Sequence, residues 1–463
     1  MTAITDANTF IDQNLINVPY QGVPATTLNA CLKTITNVFN SYATIASVNS
    51  LFGYALDGNF PAALMNAPNQ AFTLNGGYVS ISALLLFSSG QKYTVGPDGN
   101  YVLNAANGPA WDWSTGRRRL LIEAIPTTNL ITWSQDLTYW NGGVTTTIAS
   151  VASTAPDGAA NSQKIIPAAV SGSSFYRQAS AYALTANTNY VKWGIFKPDG
   201  YNIVVGQSRK LDGTWLYAHF NIATGAVTNI SAGVTAWTVL LKGGWYLVAM
   251  SFNSGTGATA QNDTWYVSNA AGFPTFTPDG TSGVLHWHSQ CEVGTTPSSP
   301  IVSGASPTAR AGDIVTAASG LLALFKATNA ALVLRGSVLD AGTSWASILG
   351  GNAGGGISTG MSAYTGATFY DAGTVHPLAV TGGVATSLAA FGIGVSYTDV
   401  LRKACVTGGS IFSDNYGLFP PSETGVVFGS GPSGARNIML DEIIVWPFLA
   451  SDAGLQAQAR VYS

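Results

Sequence analysis

Paired carboxylates, clustered histidines and an activated serine or cysteine are the usual means of catalysis, and this chain is sparing with all of them. Its glutamates are Glu123, Glu292, Glu423 and Glu442. Hydrolysis of a glycosidic bond needs two convergent carboxyl groups about 5–9.5 Å apart. Asp441 and Glu442 are adjacent in a predicted strand and so face opposite ways; an Asp–Asp pair drawn from separate strands stays open. His286 and His288 form an H-x-H pair. In a regular strand both rings share a face, which is how a zinc site can begin. Cys291 follows after the alternation has changed face, and no fourth ligand lies nearby, so the pair reads as two histidines flanking a core Trp287. No Gly-x-Ser-x-Gly elbow leads from a strand into a helix. Gly350–Gly360 looks like a phosphate loop but lacks the Lys-Ser/Thr ending and the following helix. The sequence therefore predicts no catalytic residue, no metal and no cofactor.

Aromatic side chains are plentiful instead, with 12 Trp and 19 Tyr. An aromatic ring offers a flat apolar face on which a sugar ring stacks, while polar neighbours bond its hydroxyls. Trp245, Trp287 and Trp446 sit in strand-like runs and are expected in the core. Tyr201, Trp215 and Tyr217 lie near the charged turn Arg209–Asp212 and are the expected exposed platform.

Composition narrows the class. Hydrophobic residues are 46% and charged residues only 9%, against roughly 25% charged in an average soluble domain. Such a chain folds, and its weakly charged surface suits burial in an assembly. Residues 1–91 hold one cation, Lys33, and three anions, Asp6, Asp12 and Asp57, which marks the segment as one docked onto partners. Arg117, Arg118 and Arg119 form one basic cluster but no stripe, so nucleic acid is not expected. Cys31, Cys291 and Cys405 give neither a disulfide framework nor a zinc spacing. Met1 to Tyr20 lacks the basic start and apolar core of a signal peptide, and no apolar run approaches the ~20 residues of a membrane span.

Leu28, Leu32, Ile35, Phe39, Tyr42 and Ala46 are spaced 4-3-4-3-4. That is an a/d seam over nearly three heptads, read as a short parallel bundle, a trimer, or as one amphipathic helix packed within its own domain. From about Phe60 the pattern becomes β-rich, with Asp98-Gly99 and Asn107-Gly108 marking reversals. Short strands then follow at the cadence of an antiparallel sandwich. A Ser/Pro/Gly-rich linker, Thr295–Ser306, separates two β-rich blocks, and a short helix, Ser451–Ala459, ends the chain. The predicted fold is mainly β: two antiparallel, jelly-roll-like sandwiches after an N-terminal helical oligomerisation segment. The expected divisions are 1–60 for attachment and oligomerisation, 61–125 as a β-rich connecting region, 126–318 as the first sandwich and 319–463 as the second.

The stretch DWSTGRRRLLIEAIPTTNLITWSQDLTYWNGG, residues 112–143, resembles a module common in phage virion proteins. Ala155-Pro156-Asp157-Gly158, Phe220–Gly225 with Val227, Gly244-Trp245-Tyr246, Asp279–Gly283 with Leu285, Trp287 and Gln290–Gly294, and Thr308–Asp313 match further pieces in order. The resemblance covers roughly 112–316 and implies a jelly roll similar to carbohydrate-binding modules, with Glu123 and Glu292 at structural positions. Thr127 stands where the module usually has an arginine. IMLDEIIVWPFLASDAGLQ, residues 438–456, resembles the closing strand and helix of concanavalin/laminin-G-like sandwiches. Together these imply a structural component of a tailed-phage virion: a fibre, appendage or decoration assembled in the host cytoplasm. It would be a homo-oligomer, a trimer, held to other virion proteins through its N-terminus and binding host surface polysaccharide. A glycan-degrading spike and a secreted bacterial adhesin are the alternatives.

Overall fold

The structure is a computed structural model. It describes residues 61–461 except 143–145, 151–152, 171–174, 260–262, 270–275, 340–345, 354–355, 360–365, 371–377, 382–389, 420–421 and 432–433. The seam of Leu28, Leu32, Ile35, Phe39 and Tyr42 lies outside the described residues.

As expected, the chain is mainly β, with antiparallel sheets throughout. One sandwich is built around two long neighbouring strands, Ala330–Val338 and Asn437–Trp446. Both read as almost unbroken apolar runs because both of their faces are covered. Leu332, Leu334, Ile443 and Val445 face the core shared with the opposing sheet. Ala331, Val333, Ile444 and Trp446 pack on the other side with Leu455 and Ala459 of the terminal helix segment. That helix, Asp452–Gln458, starts where the sequence predicts, with the Ser451 hydroxyl accepting from the Gly454 amide at 3.1 Å, a standard N-cap.

Residues 61–125 are more than a connector. Ala63–Asn66 and Arg119–Glu123 both pair with Asn437–Trp446, at successive positions along it. Leu85–Ser88 pairs with Ile314–Ala317 at the edge of the opposing sheet. The sandwich expected from residues 319–463 is thus completed by strands from before and after the module, which leaves near Ile125 and returns near Ile314. Only non-local pairing reveals this, since each short strand alone looks like linker β-structure.

The module is a second sandwich of two six-stranded sheets. Its inner sheet runs Thr146–Ser150, Gln163–Pro167, Gly283–Val293, Asn189–Asp199, Tyr246–Asn253, Val234–Leu240. Its outer sheet runs Asn141–Gly142, Tyr176–Gln178, Thr264–Ser268, Ile203–Arg209, Trp215–Asn221, Val227–Thr228. Phe196, Met250, Val204, Phe220 and Trp265 fill the space between them. The far face of the inner sheet is also apolar, carrying Val191, Trp193, Ile195, Trp245 and Trp287. It is roofed by the hairpin Lys92–Val95/Tyr101–Asn104. Tyr101 stacks on Trp287 at 5.4 Å, and Tyr93 meets it edge-on at 5.5 Å.

Between the sandwiches lies a buried charge cluster. Glu123 accepts from the Ser299 amide (2.7 Å) and hydroxyl (2.6 Å) and pairs with Arg310 at 2.9 Å. Lys92 pairs with Asp313 and lies 3.8 Å from Glu123, and Asp313 accepts from the Glu123 amide at 2.7 Å. Burial alone would raise the Glu123 carboxyl, but Arg310, Lys92 and the Ser299 hydrogen bonds hold it below its ordinary value. At Asp313 burial prevails over the attraction of Lys92 and the pKa is raised. Gly312 lets the chain pass over this junction: a Cβ there would sit 2.1 Å from the Ala124 carbonyl oxygen.

The expected linker Thr295–Ser306 is stitched down by the same chemistry. Glu292 accepts from the Ser298 amide and hydroxyl, Gln290 and the Trp193 indole. Ser303 and Ser134 exchange hydrogen bonds, and Ile301 donates to Gln290. Ser298 and Ser299 are thus the partners of buried acids, Glu292 and Glu123.

Candidate functional site

The site grows from the hairpin of Ile203–Arg209 and Trp215–Asn221. Leu216, Ala218 and Phe220 enter the core, so the period-2 alternation of a strand turns Trp215, Tyr217 and His219 to the outer face. Lys210–Asp212 and Gly213 make the turn. The Lys210 amide donates to Thr214 and the Gly213 amide to Lys210, with Gly213 at φ +92°, a conformation that favours glycine. The Asp212 side chain accepts from the Thr214 amide, and this bond lowers its pKa.

Trp215 is 44% and Tyr217 38% exposed. Arg209, opposite Trp215 in the register, lays its guanidinium 5.0 Å from the indole and donates to the Gly213 carbonyl. Gln207 is opposite Tyr217, and its side-chain oxygen accepts from the Tyr266 hydroxyl at 3.2 Å. Tyr266 in turn faces Tyr176, ring centroids 5.1 Å apart. Burial, with a smaller contribution from Tyr176, raises the Tyr266 phenol above its ordinary value, so it remains a neutral hydroxyl. Val205 and His219, further along the face, are buried. The accessible part is therefore the end with Arg209, Trp215, Tyr217 and Gln207.

The ground beneath this end is stiffened from below. Lys192 reaches across from the inner sheet and donates to the Gln207 and Thr264 carbonyls, at 2.7 and 2.8 Å. It lies 3.4 Å from Asp263 and over the Trp265 ring at 4.3 Å. Asp263 accepts from Ser208 and from Tyr182. Burial lowers the Lys192 pKa, against the pull of Asp263, and raises the Cys291 thiol well above its ordinary value. These groups hold the sheet rather than meet a ligand.

Trp215 and Tyr217 are brought together, but Tyr201 is not with them. It lies beyond the opposite end of Ile203–Arg209, packed edge-on to Phe276 at 5.2 Å, its hydroxyl accepting from the Asp279 amide. The seven-residue strand Ile203–Arg209, about 20 Å from end to end, separates it from the Arg209–Trp215 end; closeness in sequence to the turn concealed this. Gln207, Tyr266 and Tyr176 were missed, because only strand register reveals them as neighbours of Tyr217.

The H-x-H pair is split. A bulge sets His288 opposite Ile195 and His286 opposite Phe196, skipping Trp287. His286 thus enters the core beside Phe196, while His288 lies against Trp193. Burial pushes their pKa values down to about 3 and about 4. Among the described residues no group of three His, Cys, Asp or Glu side chains could hold a metal ion. In the glycine-rich stretch, the Asn352 and Ala353 amides donate to the buried Glu423 carboxylate, occupying the groups a phosphate would need. Asp441 is engaged by Arg119, and Glu442 by Arg335 and Asn66.

These observations describe a two-sandwich β-protein with an exposed aromatic patch beside a charged turn on one sheet. No protein-family model matches the chain and no curated protein matches it. Among solved structures it is similar to the CBM40 domain of a Ruminococcus gnavus IT-sialidase bound to α2,3-sialyllactose, at 14% identity over 30% of this chain and 87% of that one, TM-score 0.26. It is also similar to domain 4 of a GH43 extracellular arabinanase from Geobacillus stearothermophilus in complex with arabinotriose, at 13% identity over 32% and 73%, TM-score 0.26. A third is Trypanosoma rangeli sialidase in complex with sialic acid, at 10% identity over 64% and 66%, TM-score 0.24. At these TM-scores, ligand and activity rest on the chain's own residues.

Proposed function

We propose that the chain is a non-catalytic glycan-binding protein that holds sugar rings on the Trp215–Tyr217 platform. The observation that carries this reading is the geometry of that platform. Two exposed rings at i and i+2 share one rigid face, with the Arg209 guanidinium and the Gln207 and Tyr266 side chains alongside to meet hydroxyls. Aromatic stacking supplies most of the contact and the polar groups fix orientation. Binding is favoured over hydrolysis because Glu123, Glu292, Glu423 and Glu442 are all buried and engaged in structural hydrogen bonds or ion pairs.

The wider setting we propose is an appendage of a tailed-phage virion, in which the sandwiches project and residues 1–60 join a trimer to the particle. The resemblance of residues 112–316 and the weak charge of the first 91 residues support it. Sedimentation tests the oligomer: a stable monomer at micromolar concentration refutes it. A glycan array probed with the full chain tests the ligand class. Loss of signal in Trp215→Ala with an unchanged fold is the expected result, and no signal for the unaltered chain refutes glycan binding. Release of reducing ends, abolished by one Asp or Glu substitution, would instead favour the glycan-degrading alternative.

A further inference from the structure

The segment 130–140 carries a second aromatic feature, away from Trp215. Trp133 has φ +52°, a left-handed conformation rare for a bulky side chain and retained only where the surroundings impose it. They do so here. The Trp133 amide donates to the Gly304 carbonyl at 2.7 Å, and its own carbonyl accepts from the Asp136 amide and the Trp140 indole, both at 3.0 Å. The neighbouring Ser134 is locked to Ser303 on both sides.

This backbone lays the Trp133 indole on the module core and presents its other side to Tyr139. The two rings are parallel within 10° with centroids 3.8 Å apart, and Tyr139 is 58% exposed. The order is core, Trp133, Tyr139, solvent. Tyr139 sits in the short 3-10 turn Leu137–Tyr139, whose first turn is capped by Asp136, which also accepts from Gln163. A rigid ring is therefore held flat with one face free, so a ligand stacking on it orders little side-chain freedom.

We infer that Tyr139, backed by Trp133, is a second and separate site for stacking a sugar ring. It cannot share a ring with the first platform. Tyr139 lies two residues before Asn141–Gly142, the first strand of the outer sheet, whereas Trp215 is on the fifth, four strand spacings or about 19 Å away. The inference rests on the proposed function for its ligand class alone; the stack itself is an independent observation.

The test is saturation-transfer NMR on the full chain with four probes: sialyllactose, arabinotriose, chitotetraose and cellotetraose. For a probe that binds, Trp215→Ala is expected to leave residual transfer that Tyr139→Ala removes in the double variant, while Tyr139→Phe, which keeps the ring, retains it. If Trp215→Ala abolishes all transfer and Tyr139→Ala changes nothing, the second site is overturned and the first stands. If no probe shows transfer to the unaltered chain, both are overturned. If the residual transfer survives in the double variant, it arises elsewhere and the Tyr139 assignment is refuted.

Discussion

Glu123→Gln should be among the most damaging isosteric changes available in this chain. Glu123 shares a buried cluster with Lys92, Arg310 and Asp313: two cations and two anions, hence no net charge. Removing one anion leaves a buried excess of one positive charge. At 2.9 Å the Arg310 attraction amounts to about 6 kcal/mol with an effective dielectric constant of 20, before desolvation is counted. Desolvation offsets part of that, and breaking one side of a buried pair costs about 3–5 kcal/mol. The pKa directions choose the residue to perturb. Attraction and hydrogen bonding prevail over burial at Glu123 but not at Asp313, so Glu123 is the better-satisfied acid. The assay is urea denaturation followed by tryptophan fluorescence, with Arg310→Met and the double variant Glu123→Gln/Arg310→Met completing a cycle. The double variant removes one charge of each sign and leaves Lys92 facing Asp313. Its cost should therefore fall well below the sum of the two singles. A loss under about 1 kcal/mol for Glu123→Gln, or strict additivity in the cycle, would refute the idea that this cluster fastens the sandwiches.

His286 and His288 titrate at about 3 and about 4 when folded and near 6.5 when unfolded. Their stabilising contribution is complete above pH 6.5 and is lost as pH falls towards those folded values; at pH 5 each has lost about 2 kcal/mol. Stability measured from pH 7.5 to 5 should show this slope, and a flat profile refutes the neutral, buried assignment. Trp215→Ala should weaken a monovalent sugar several-fold, for a stacking contribution of about 0.5–1.5 kcal/mol, and leave the melting temperature unchanged. Trp287→Ala should instead cost about 3–5 kcal/mol of stability, since Tyr93 and Tyr101 pack on that indole. A fragment of residues 319–463 should fail to give a dispersed amide spectrum, because the strands Ala63–Asn66, Leu85–Ser88 and Arg119–Glu123 are missing; a folded spectrum refutes the split-sandwich reading.

Features that depend on local chemistry were legible in the order of residues. Alternating and unbroken apolar runs marked antiparallel β-structure, and a Ser-Asp pair marked the start of the terminal helix. The core placement of Trp245, Trp287 and Trp446 was legible from their strand contexts, and all three are buried. The exposure of Trp215 and Tyr217 was legible from the charged turn beside them. What depends on which strands meet was decided only in three dimensions. Residues 61–125 read as a connector because a four-residue strand carries no mark of its partner, here more than 300 residues away for Ala63–Asn66. Tyr201 was grouped with Trp215 by sequence proximity, although a strand carries its two ends apart. One bulge at Trp287 was enough to send His286 and His288 to opposite faces, since the side-chain period of a strand is two and a single extra residue inverts it. Ser298 and Ser299 looked like linker until folding brought Glu292 and Glu123 beside them. A buried carboxylate must find donors, and the chain segment that supplies them is chosen by the packing of the whole.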